Sequence, residues 1–362
     1  MNDNFEPVSL RRLPAEWEDH DCVMLAWPHE QTDWNYMLDE ARDCFAHIIK
    51  AIAREECVLL VGPADLCLKS VEGYGFPADR VKFLDIPTND TWARDFGGIT
   101  VEVNGSLRVL DFKFNGWGLK FAANHDNLVN SRSAALSATG NAVFGAPIEN
   151  RLNFVLEGGS IESDGKGTLL TTSECLLSPN RNGEFSRVQI ESYLKDAFGV
   201  ERVLWLDFGA LAGDDTDSHI DTLARLAPHD TIFYVGCGVE GDPNNESLAR
   251  MREQLTSLRT SEGIPYNLVE LPSPDPVFDE DGMQLPATYA NFLITPHSIL
   301  LPIYNQPKKD LLAQQIMKIV FPEREIVPID CRALIRQHGS LHCVTMQFPV
   351  GAIAGISNGR WV

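Results

Sequence analysis

Residues 35–63 read NYMLDEARDCFAHIIKAIAREECVLLVGP, in which a helical pattern leads directly into a strand pattern. Apolar side chains recur at helical spacing from Leu38 to Ile52, which predicts an amphipathic helix. Residues 57–61 are apolar at every position and are followed by a Gly-Pro pair, as is typical of a buried strand. A helix that leads into a buried strand favours an α/β fold.

The same alternation continues along the rest of the chain. The pair Asn104-Gly105 predicts the turn of a β-hairpin. Other patterns predict hairpins in 160–172 and 291–304, helices near 185–198, 243–262 and 308–320, and strands near 81–86, 203–206, 232–235 and 267–271. The alternation does not by itself distinguish a doubly wound sheet from a radial arrangement.

The size and composition of the chain suit one folded domain. The chain has 362 residues, of which 44% are hydrophobic, and no low-complexity tract or flexible linker divides it. We therefore expect a single domain over residues 1–362. No apolar run approaches the roughly 20 residues that a membrane span needs, so we expect no membrane partner.

The charge and the cysteines narrow the class of protein. A formal net charge of −21 disfavours nonspecific nucleic-acid binding, because that binding requires clustered cations. The N-terminal residues lack the basic and apolar regions of an export signal. The eight cysteines include no Cys-x-x-Cys pair, so we expect a cytoplasmic protein with free thiols and no structural zinc site.

Cys343 is the first candidate for chemistry. It follows Gly339 and precedes the alternating residues 344–348, which predicts a position at the head of a short strand. Such an edge suits a nucleophile, although a lone cysteine is more often a buried core residue. His342 would point to the opposite face of that strand, which favours a structural role for it.

Carboxylates and an imidazole lie far upstream of this cysteine. His219 and Asp221 share one face if their segment is extended. Asp95 follows an arginine, and Glu157 precedes two glycines. Each has an ordinary interpretation as an ion pair, a satisfied polar pair or a turn residue. No second histidine lies close to His219 in sequence, so a metal site is disfavoured.

Together these side chains suit covalent attack on a guanidinium carbon. A buried guanidinium needs carboxylate acceptors for its five N–H donors, and Asp95 and Asp221 supply them. A thiolate of Cys343 would attack, and His219 would exchange protons with the leaving ammonia and the attacking water. Glu157 would orient His219 and favour its protonated form. Nearby carboxylates oppose the thiolate, so we expect the bound cation to help form it.

These residues lie in blocks that resemble the agmatine deiminases. This group also holds bacterial peptidyl-arginine deiminases and belongs to the guanidino-group modifying (pentein) superfamily. The similar blocks follow in order along almost the whole chain: Leu13-Pro14-Ala15-Glu16-Trp17-Glu18, Trp27-Pro28, Asn89-Asp90-Thr91-Trp92-Ala93-Arg94-Asp95, Asn115-Gly116-Trp117-Gly118, Glu157-Gly158-Gly159-Ser160, Thr171-Thr172-Ser173-Glu174-Cys175-Leu176-Leu177, Asn180-Arg181-Asn182, His219-Ile220-Asp221, Tyr289, Asn291-Phe292 and His342-Cys343-Val344-Thr345.

The resemblance implies a fold and a reaction. The fold is a five-bladed α/β propeller, the pentein fold, of ββαβ units around a central active-site pocket. The reaction hydrolyses agmatine to N-carbamoylputrescine and ammonia through an amidino-cysteine intermediate, a step of putrescine and polyamine biosynthesis. It implies no metal and no organic cofactor. The partner would be a small cationic guanidino substrate, and homologous enzymes are often homo-oligomers.

By motif, the resemblance assigns roles to individual residues. Cys343 is the nucleophile and His219 the general acid and base, with Glu157 as the acid beside it. Asp95 and Asp221 are the carboxylates that bind the guanidinium.

Two tryptophans and one acidic loop each have two interpretations. Trp92 resembles the tryptophan that lines the substrate pocket, and it would otherwise be a core aromatic. Trp117 either lines the site or anchors a turn. An acidic loop with Asp214, Asp215 and Asp217 either meets a distal amine of the substrate or is simply solvated.

The chain also departs from the family pattern. Agmatine deiminases usually carry Gly-Gly-Gly-Asn-Ile-His-Cys, whereas this chain has His338-Gly339-Ser340-Leu341 before His342-Cys343. Ser218 replaces the glycine that usually precedes the catalytic histidine. The catalytic side chains are retained, so the departures bear on contacts to the rest of the substrate.

Other functions stay open at this point. The same chemistry could act on peptidyl-arginine or free arginine, although the acidic loop offers no cation for the α-carboxylate of arginine. An amidinotransferase would share the covalent intermediate. A cysteine peptidase would leave the three carboxylates unexplained, because its amide substrates are neutral. The presence of both Cys343 and His219 argues against a non-enzymatic binding protein.

Overall fold

The computed structural model of this chain describes residues 10–138 and 143–362. The N-terminal segment on which the export-signal expectation depends lies outside these ranges. The described residues form an α/β structure, as the alternation predicted, with five sheets of three or four strands. The first sheet contains strands Arg11–Arg12, Ile99–Val103, Ser106–Lys113 and Ile148–Val155, and the second contains Ile161–Ser163, Thr168–Thr172 and Arg202–Leu206. The third sheet contains strands Ala224–Ala227, Thr231–Val235 and Asn267–Leu271, and the fourth contains Leu293–Ile294, Ser298–Ile303 and Glu325–Asp330. The fifth sheet contains strands Met346–Pro349, His20–Ala26, Cys57–Gly62 and Val81–Asp85.

All five sheets repeat one connection. Two strands pair antiparallel, and the second of them then pairs parallel with a third strand after a crossover. A parallel pair needs a long connection, and a helix supplies it in each case. The five crossover helices are Val129–Ala138, Arg187–Phe198, Asn245–Ser257, Pro307–Val320 and Leu38–Ile52, and the fifth sheet has a second crossover helix, Ala64–Gly73.

The fifth sheet joins the two ends of the described chain. Strand Met346–Pro349 pairs antiparallel with strand His20–Ala26, which in turn pairs parallel with Cys57–Gly62. Both central strands are almost entirely buried, because helix Leu38–Ile52 packs its apolar face against them. The stretch of sequence that predicted the fold therefore lies in the sheet that pairs strands from both halves of the chain.

Most predicted elements are confirmed. The hairpin at Asn104-Gly105 and those near residues 164 and 296 all form, and both glycine and asparagine of the first turn have positive φ. Two local predictions were wrong. Residues 342–344 form a 3-10 turn before strand Met346–Pro349, and a second 3-10 turn, Ile220–Thr222, begins directly after His219. None of the described helices combines the length and apolar character that a membrane crossing requires.

A buried guanidinium ties three parts of the fold together. Arg225, in strand Ala224–Ala227, is fully buried and pairs with Glu16 at 2.6 Å and Glu162 at 2.5 Å. Its remaining nitrogen donates to the carbonyl oxygens of Ala290 and Phe292. One side chain thus connects the N-terminal segment with the second, third and fourth sheets. Burial of so many charges is tolerable only when all of them are paired.

We expect Arg225→Met to lower the free energy of unfolding by about 3–5 kcal/mol, because two carboxylates would then stay buried without their cation. Guanidinium chloride unfolding followed by circular dichroism measures the change. Arg332→Met is the matched control: its side chain is 52% exposed and pairs with Asp330 at 2.7 Å, so its loss should cost less than about 1 kcal/mol. Equal losses for the two variants would contradict the central role of Arg225.

Candidate active site

The predicted site residues occupy equivalent places in the fold. The first strand of the antiparallel pair in each sheet begins at residue 99, 161, 224, 293 or 346, and the segment just before it carries polar side chains that face one another. These side chains are Asp95, Glu157, His219 with Asp221, Asn291, and Cys343. Five repeats of one supersecondary unit therefore deliver five segments to a common centre.

Cys343 lies at the floor of a pocket and is 4% exposed. Its Sγ accepts a hydrogen bond from Asn291 Nδ2 at 3.2 Å and lies 3.8 Å from Asp221 Oδ2. The Oδ1 atom of Asn291 accepts the backbone N–H groups of His342 and Cys343, which fixes the turn. Burial raises the pKa of the Cys343 thiol well above its ordinary range, and Asp221 and Asp95 raise it further.

Asp221 has one bound and one free oxygen. Oδ2 accepts from His342 Nδ1 at 2.7 Å, whereas Oδ1 is buried and has no hydrogen-bond partner within the described ranges. Burial acts to raise the pKa of Asp221, but the bond from His342 and the neighbouring cations outweigh it and hold the pKa below its ordinary value. Asp221 is therefore an ionised acceptor with a buried, unused lone pair.

Asp95 is held by donors on two sides. Its Oδ2 accepts from Trp117 Nε1 at 2.9 Å, and its Oδ1 accepts from the backbone N–H of Gly159 at 3.0 Å. Burial raises the pKa of Asp95 to about 6, with the nearby charge of His219 opposing the rise and that of Asp221 adding to it. Two carboxylates that face one thiol across a small space are the arrangement predicted for a cationic group.

His219 is fully buried beside these carboxylates. Its Nδ1 lies 3.6 Å from Asp95 Oδ1, and neither ring nitrogen has a hydrogen-bond partner among the residues that the structure describes. Burial alone would lower the pKa of His219, but Asp95 and other neighbours raise it to about 10. The raised pKa keeps the imidazole protonated at neutral pH, and Asp95, the Cys175 thiol and Glu157 are the neighbours that raise it.

Glu157 lies close to His219 but is bound to Arg181. Both of its oxygens accept from Arg181 Nε, at 2.9 and 3.0 Å, and one lies within 4.8 Å of a His219 ring nitrogen. Arg181 also pairs with Asp217 at 2.5 Å, and the other oxygen of Asp217 pairs with Lys120 at 2.6 Å. Glu157 thus acts on His219 through its charge. A chain of ion pairs runs from Glu157 through Arg181 and Asp217 to Lys120, which lines the cavity.

Gly159 lies at the centre of the site because no side chain fits there. A Cβ at this position would lie 2.7 Å from His219 Nδ1, 2.9 Å from Asp95 Oδ1 and 3.1 Å from Asp221 Oδ2. The same numbers show how closely the three side chains surround this backbone. Gly339 is constrained in the same way, since its Cβ would overlap the ring of Trp92.

A cavity of about 330 Å³ leads from the surface to the thiol. Cys343 and Asp95 lie at its inner end, and the aromatic rings of Trp92 and Trp117 form part of its wall. His219 lies deeper, behind the floor. The outer part of the cavity is mostly acidic and is lined by Asp33, Asp90, Asp126, Asp215, Lys120, Gln31 and Gln337, among others.

The predicted acidic loop contains three carboxylates with three different environments. Asp214 accepts from Ser218 N and Thr216 Oγ1, so it stabilises the loop. Asp217 pairs with two cations. Asp215 lines the cavity, and burial raises its pKa to about 6. The expectation that no cation lies here was wrong: Lys120 reaches the loop from another sheet and donates to the Asp215 carbonyl at 2.6 Å.

Left-handed backbone at residues other than glycine is concentrated in the loops around the cavity. Trp117, Leu119, Asp217, Ser218 and His338 all have φ between 53° and 71°. Such conformations cost of order 1 kcal/mol or more each and tend to occur at functional sites. Ser218 and His338 hold a backbone conformation that glycine adopts more easily.

Two clusters have the ligand types of a metal site. Glu157, Cys175 and His219 form one, and Glu16, Glu162 and His342 form the other. In both clusters a guanidinium already pairs with the carboxylates, Arg181 in the first and Arg225 in the second. These cations occupy the coordination that a metal would need and repel it, so neither donor set fits a metal.

The structure brings the six predicted site residues together. Trp92, Asp95 and Cys343 line the cavity, whereas His219, Asp221 and Glu157 do not line it and lie buried beside them. Several residues that support these six were missed. Asn291, Arg181, Trp117, His342 and Glu16 were given no firm role, although each lies in a block that resembles the family. Their positions in those blocks were the available signal.

Comparison with known proteins agrees with this geometry. Residues 12–349 match the model of the Porphyromonas-type peptidyl-arginine deiminase family. The chain belongs to this family. A Legionella pneumophila (strain Paris) protein named "Putative agmatine deiminase" is 35% identical over 349 residues, which cover 93% of this chain and 95% of that protein.

Solved structures of this deiminase family are similar over nearly the whole chain. The "Putative Arginine Deiminase" from Porphyromonas gingivalis is 49% identical with a TM-score of 0.88, covering 95% of this chain and 99% of that one. The C. jejuni agmatine deiminase with substrate bound is 36% identical with a TM-score of 0.86, covering 96% and 98%. An amidinotransferase from Microseira wollei, at 11% identity and a TM-score of 0.53, shares the fold alone.

We expect His219 to remain protonated until the pH rises through about 10, because its folded pKa lies above its ordinary value of 6.5. Proton NMR of the His219 ring across pH 5–11 measures the midpoint. Asp95→Asn should lower that midpoint because it removes the closest carboxylate. Asp281→Asn, an exposed change outside the residues that line the cavity, should leave it in place. A midpoint below 7 in the unchanged protein would contradict the charged state of His219.

Proposed function

We propose that this protein is a guanidine deiminase and that its substrate is agmatine. One observation carries the proposal: a buried thiol, Cys343, faces two carboxylates, Asp95 and Asp221, at the closed end of an acidic cavity. Carboxylates next to a thiol oppose its ionisation, so the arrangement makes sense only with a bound cation. A guanidinium supplies that cation and also the electrophilic carbon.

The first half of the proposed reaction forms a covalent intermediate. The guanidinium donates to Asp221 Oδ1, which has no other described partner, and to Asp95. Its charge lowers the cost of ionising Cys343, whose thiolate forms an S–C bond to the guanidinium carbon. His219 gives its proton to one nitrogen, which leaves as ammonia when the tetrahedral adduct collapses.

The second half regenerates the thiolate. His219 is now neutral and takes a proton from the incoming water, which attacks the same carbon. Collapse of the second adduct breaks the S–C bond and releases N-carbamoylputrescine with a ureido group. The hydroxyl proton of this adduct passes to solvent, as did the proton that Cys343 lost on ionisation, and the ammonia takes up one proton from solvent. Glu157 supports the charged form of His219 through its negative charge. The net change is agmatine plus water to N-carbamoylputrescine plus ammonia, without a metal or organic cofactor.

The charge of the outer cavity favours agmatine over arginine. Asp33, Asp90 and Asp215 line the wall and form no ion pair with a lysine or arginine in the described part of the chain. Burial and the nearby Asp33 raise the pKa of Asp90 to about 7, as expected of crowded carboxylates. The distal ammonium of agmatine would relieve this crowding, whereas the α-carboxylate of arginine would increase it.

Free arginine is the second candidate, and Lys120 is the observation that favours it. Its ammonium lies at the wall of the cavity and could meet a carboxylate. Asp217 already pairs with this ammonium at 2.6 Å, so a substrate carboxylate would have to compete with an ion pair. The Porphyromonas gingivalis relative carries the name "Putative Arginine Deiminase", which makes the comparison of the two substrates informative.

We also infer the architecture and setting that accompany this function. Five ββαβ units with equivalent site segments support a five-bladed propeller around the cavity, in one domain over residues 1–362. The pairing of the last unit with strand His20–Ala26 supports a closed ring. All eight cysteines are free and seven are buried, which supports a reducing cytoplasm. A homo-oligomer, and no nucleic-acid partner, remain predictions.

The first test assays ammonia and ureido product with agmatine, arginine and a blocked arginine peptide. We expect turnover of agmatine, and its loss to background in Cys343→Ala, because no other described thiol faces the two carboxylates. Cys237→Ala, which removes an exposed thiol, is the matched control and should keep full activity. Turnover of arginine alone, lost in Lys120→Met, would move the proposal to the second candidate. If none of the three substrates gave ammonia and a ureido product, hydrolytic deimination would be excluded.

Recognition of the distal amine gives a separate prediction. We expect Asp215→Asn to raise the KM for agmatine about tenfold, the effect of losing one charge pair worth about 1.4 kcal/mol. The KM for butylguanidine, which has no amine, should not change. The KM for agmatine should also rise as the pH falls through 7 to 6, where Asp90 and Asp215 gain protons. Asp281→Asn is the control. An equal rise in the KM for agmatine and for butylguanidine would contradict binding of the distal amine by Asp215.

A further inference from the structure

His342 precedes the nucleophile and has no part in the reaction described above. Its buried ring bridges two carboxylates: Nδ1 lies 2.7 Å from Asp221 Oδ2, and Nε2 lies 2.7 Å from Glu16 Oε2. Carboxylate oxygens only accept hydrogen bonds, so both contacts suit an imidazolium that donates from both nitrogens; Arg225 Nη2 lies 3.1 Å from the same Nε2. Glu16 is itself fixed by Arg225 at 2.6 Å, so the bridge rests on a rigid base.

The bridge decides which oxygen of Asp221 remains available. Oδ2 is taken by the ring, while Oδ1 is buried and has no partner in the ranges described. The backbone N–H of His342 donates to Asn291 Oδ1 at 2.8 Å, which prevents the ring from shifting along the chain. A ring held at both nitrogens and at its backbone therefore fixes the rotation of the carboxylate.

The bridge also places a positive charge beside the nucleophile. Asp221 Oδ2 lies 3.8 Å from Cys343 Sγ, so an unpaired carboxylate there would strongly oppose a thiolate. The imidazolium binds the same oxygen and offsets its charge. The charged groups that surround the ring and the thiol are Asp221, Glu16, Arg225, Glu162, Arg94, Asp95 and His219.

We propose that His342 is a positioning residue that turns Asp221 Oδ1 toward the substrate and offsets the charge of Asp221 next to the Cys343 thiolate. The first part rests on the proposed function, because it assumes a guanidinium substrate. The second part concerns the thiol alone and does not depend on the substrate. A purely structural ion pair would affect stability and neither of these properties.

Two amide variants separate the bonds of the ring. Asn at position 342 places its NH2 group near the place of Nδ1 and keeps the bond to Asp221. Gln reaches the place of Nε2 and keeps the bond to Glu16 instead. Both lack the charge. We expect the KM for agmatine to stay within about threefold in His342→Asn and to rise about tenfold or more in His342→Gln, which frees Asp221.

The thiol is measured without substrate. Alkylation of Cys343 by iodoacetamide is followed across pH by mass spectrometry of its peptide. We expect the midpoint of the rate profile to move upward by about one pH unit in both amide variants, because the offsetting charge is gone. His20→Gln is the matched control: this buried ring also bridges a carboxylate, Glu56 at 2.7 Å, and a carbonyl, Ile294 O at 3.0 Å, away from the thiol.

The outcomes are distinguishable. Equal KM values for the Asn and Gln variants, or alkylation midpoints that match His20→Gln, would overturn the proposal. Absence of agmatine turnover in the unchanged protein would instead overturn the proposed function and leave the alkylation result to decide the role of His342. Where a substitution at position 342 prevents folding, Glu16→Gln takes its place. It weakens the support of the imidazolium and should move the alkylation midpoint upward in the same direction.

Discussion

The structure depends on the burial of two ionised carboxylates next to a thiol. Asp95 and Asp221 would repel each other and any thiolate, and their burial removes the water that would screen them. The protein meets this constraint with fixed donors: Trp117 and Gly159 for Asp95, and His342 for Asp221. These donors leave Asp221 Oδ1 without a hydrogen-bond partner and leave a net negative charge at the site. Both features favour a planar cation with N–H donors as the ligand.

The fold makes such a site possible by repetition. Each site segment comes just before the first strand of a hairpin, where the backbone is held by the sheet behind it but its side chains are free to face the centre. Five segments of similar geometry can therefore be placed around one point without a long loop. The buried cations Arg225 and Arg181 pair with the carboxylates behind them, so the central charges rest on a rigid, satisfied layer.

The sequence was sufficient for the α/β class, the hairpins and the identity of the side chains at the centre, because these follow from local periodicity and residue type. It was insufficient for the partners. His342 was expected to point away from the site on a strand, yet a 3-10 turn directs it to Asp221. Glu157 was expected to hold His219 and instead binds Arg181. Lys120 reaches Asp217 from 97 residues away. Such pairings join segments that are distant in the chain, and no local pattern encodes them.

The departures from the family pattern lie in loops at the outer cavity and leave the catalytic side chains unchanged. Ser218 and His338 adopt the left-handed backbone that glycine adopts more easily, and both belong to loops that border the outer cavity. His338 is held there by a hydrogen bond from its Nδ1 to the carbonyl of Gly213 at 2.7 Å, which couples the loop before the nucleophile to the loop before His219. A glycine would take the same conformation at lower cost but could not make this bond. The side chains therefore restrain the mouth of the cavity while the catalytic floor stays unchanged, and differences in substrate within the family are expected to arise at the mouth.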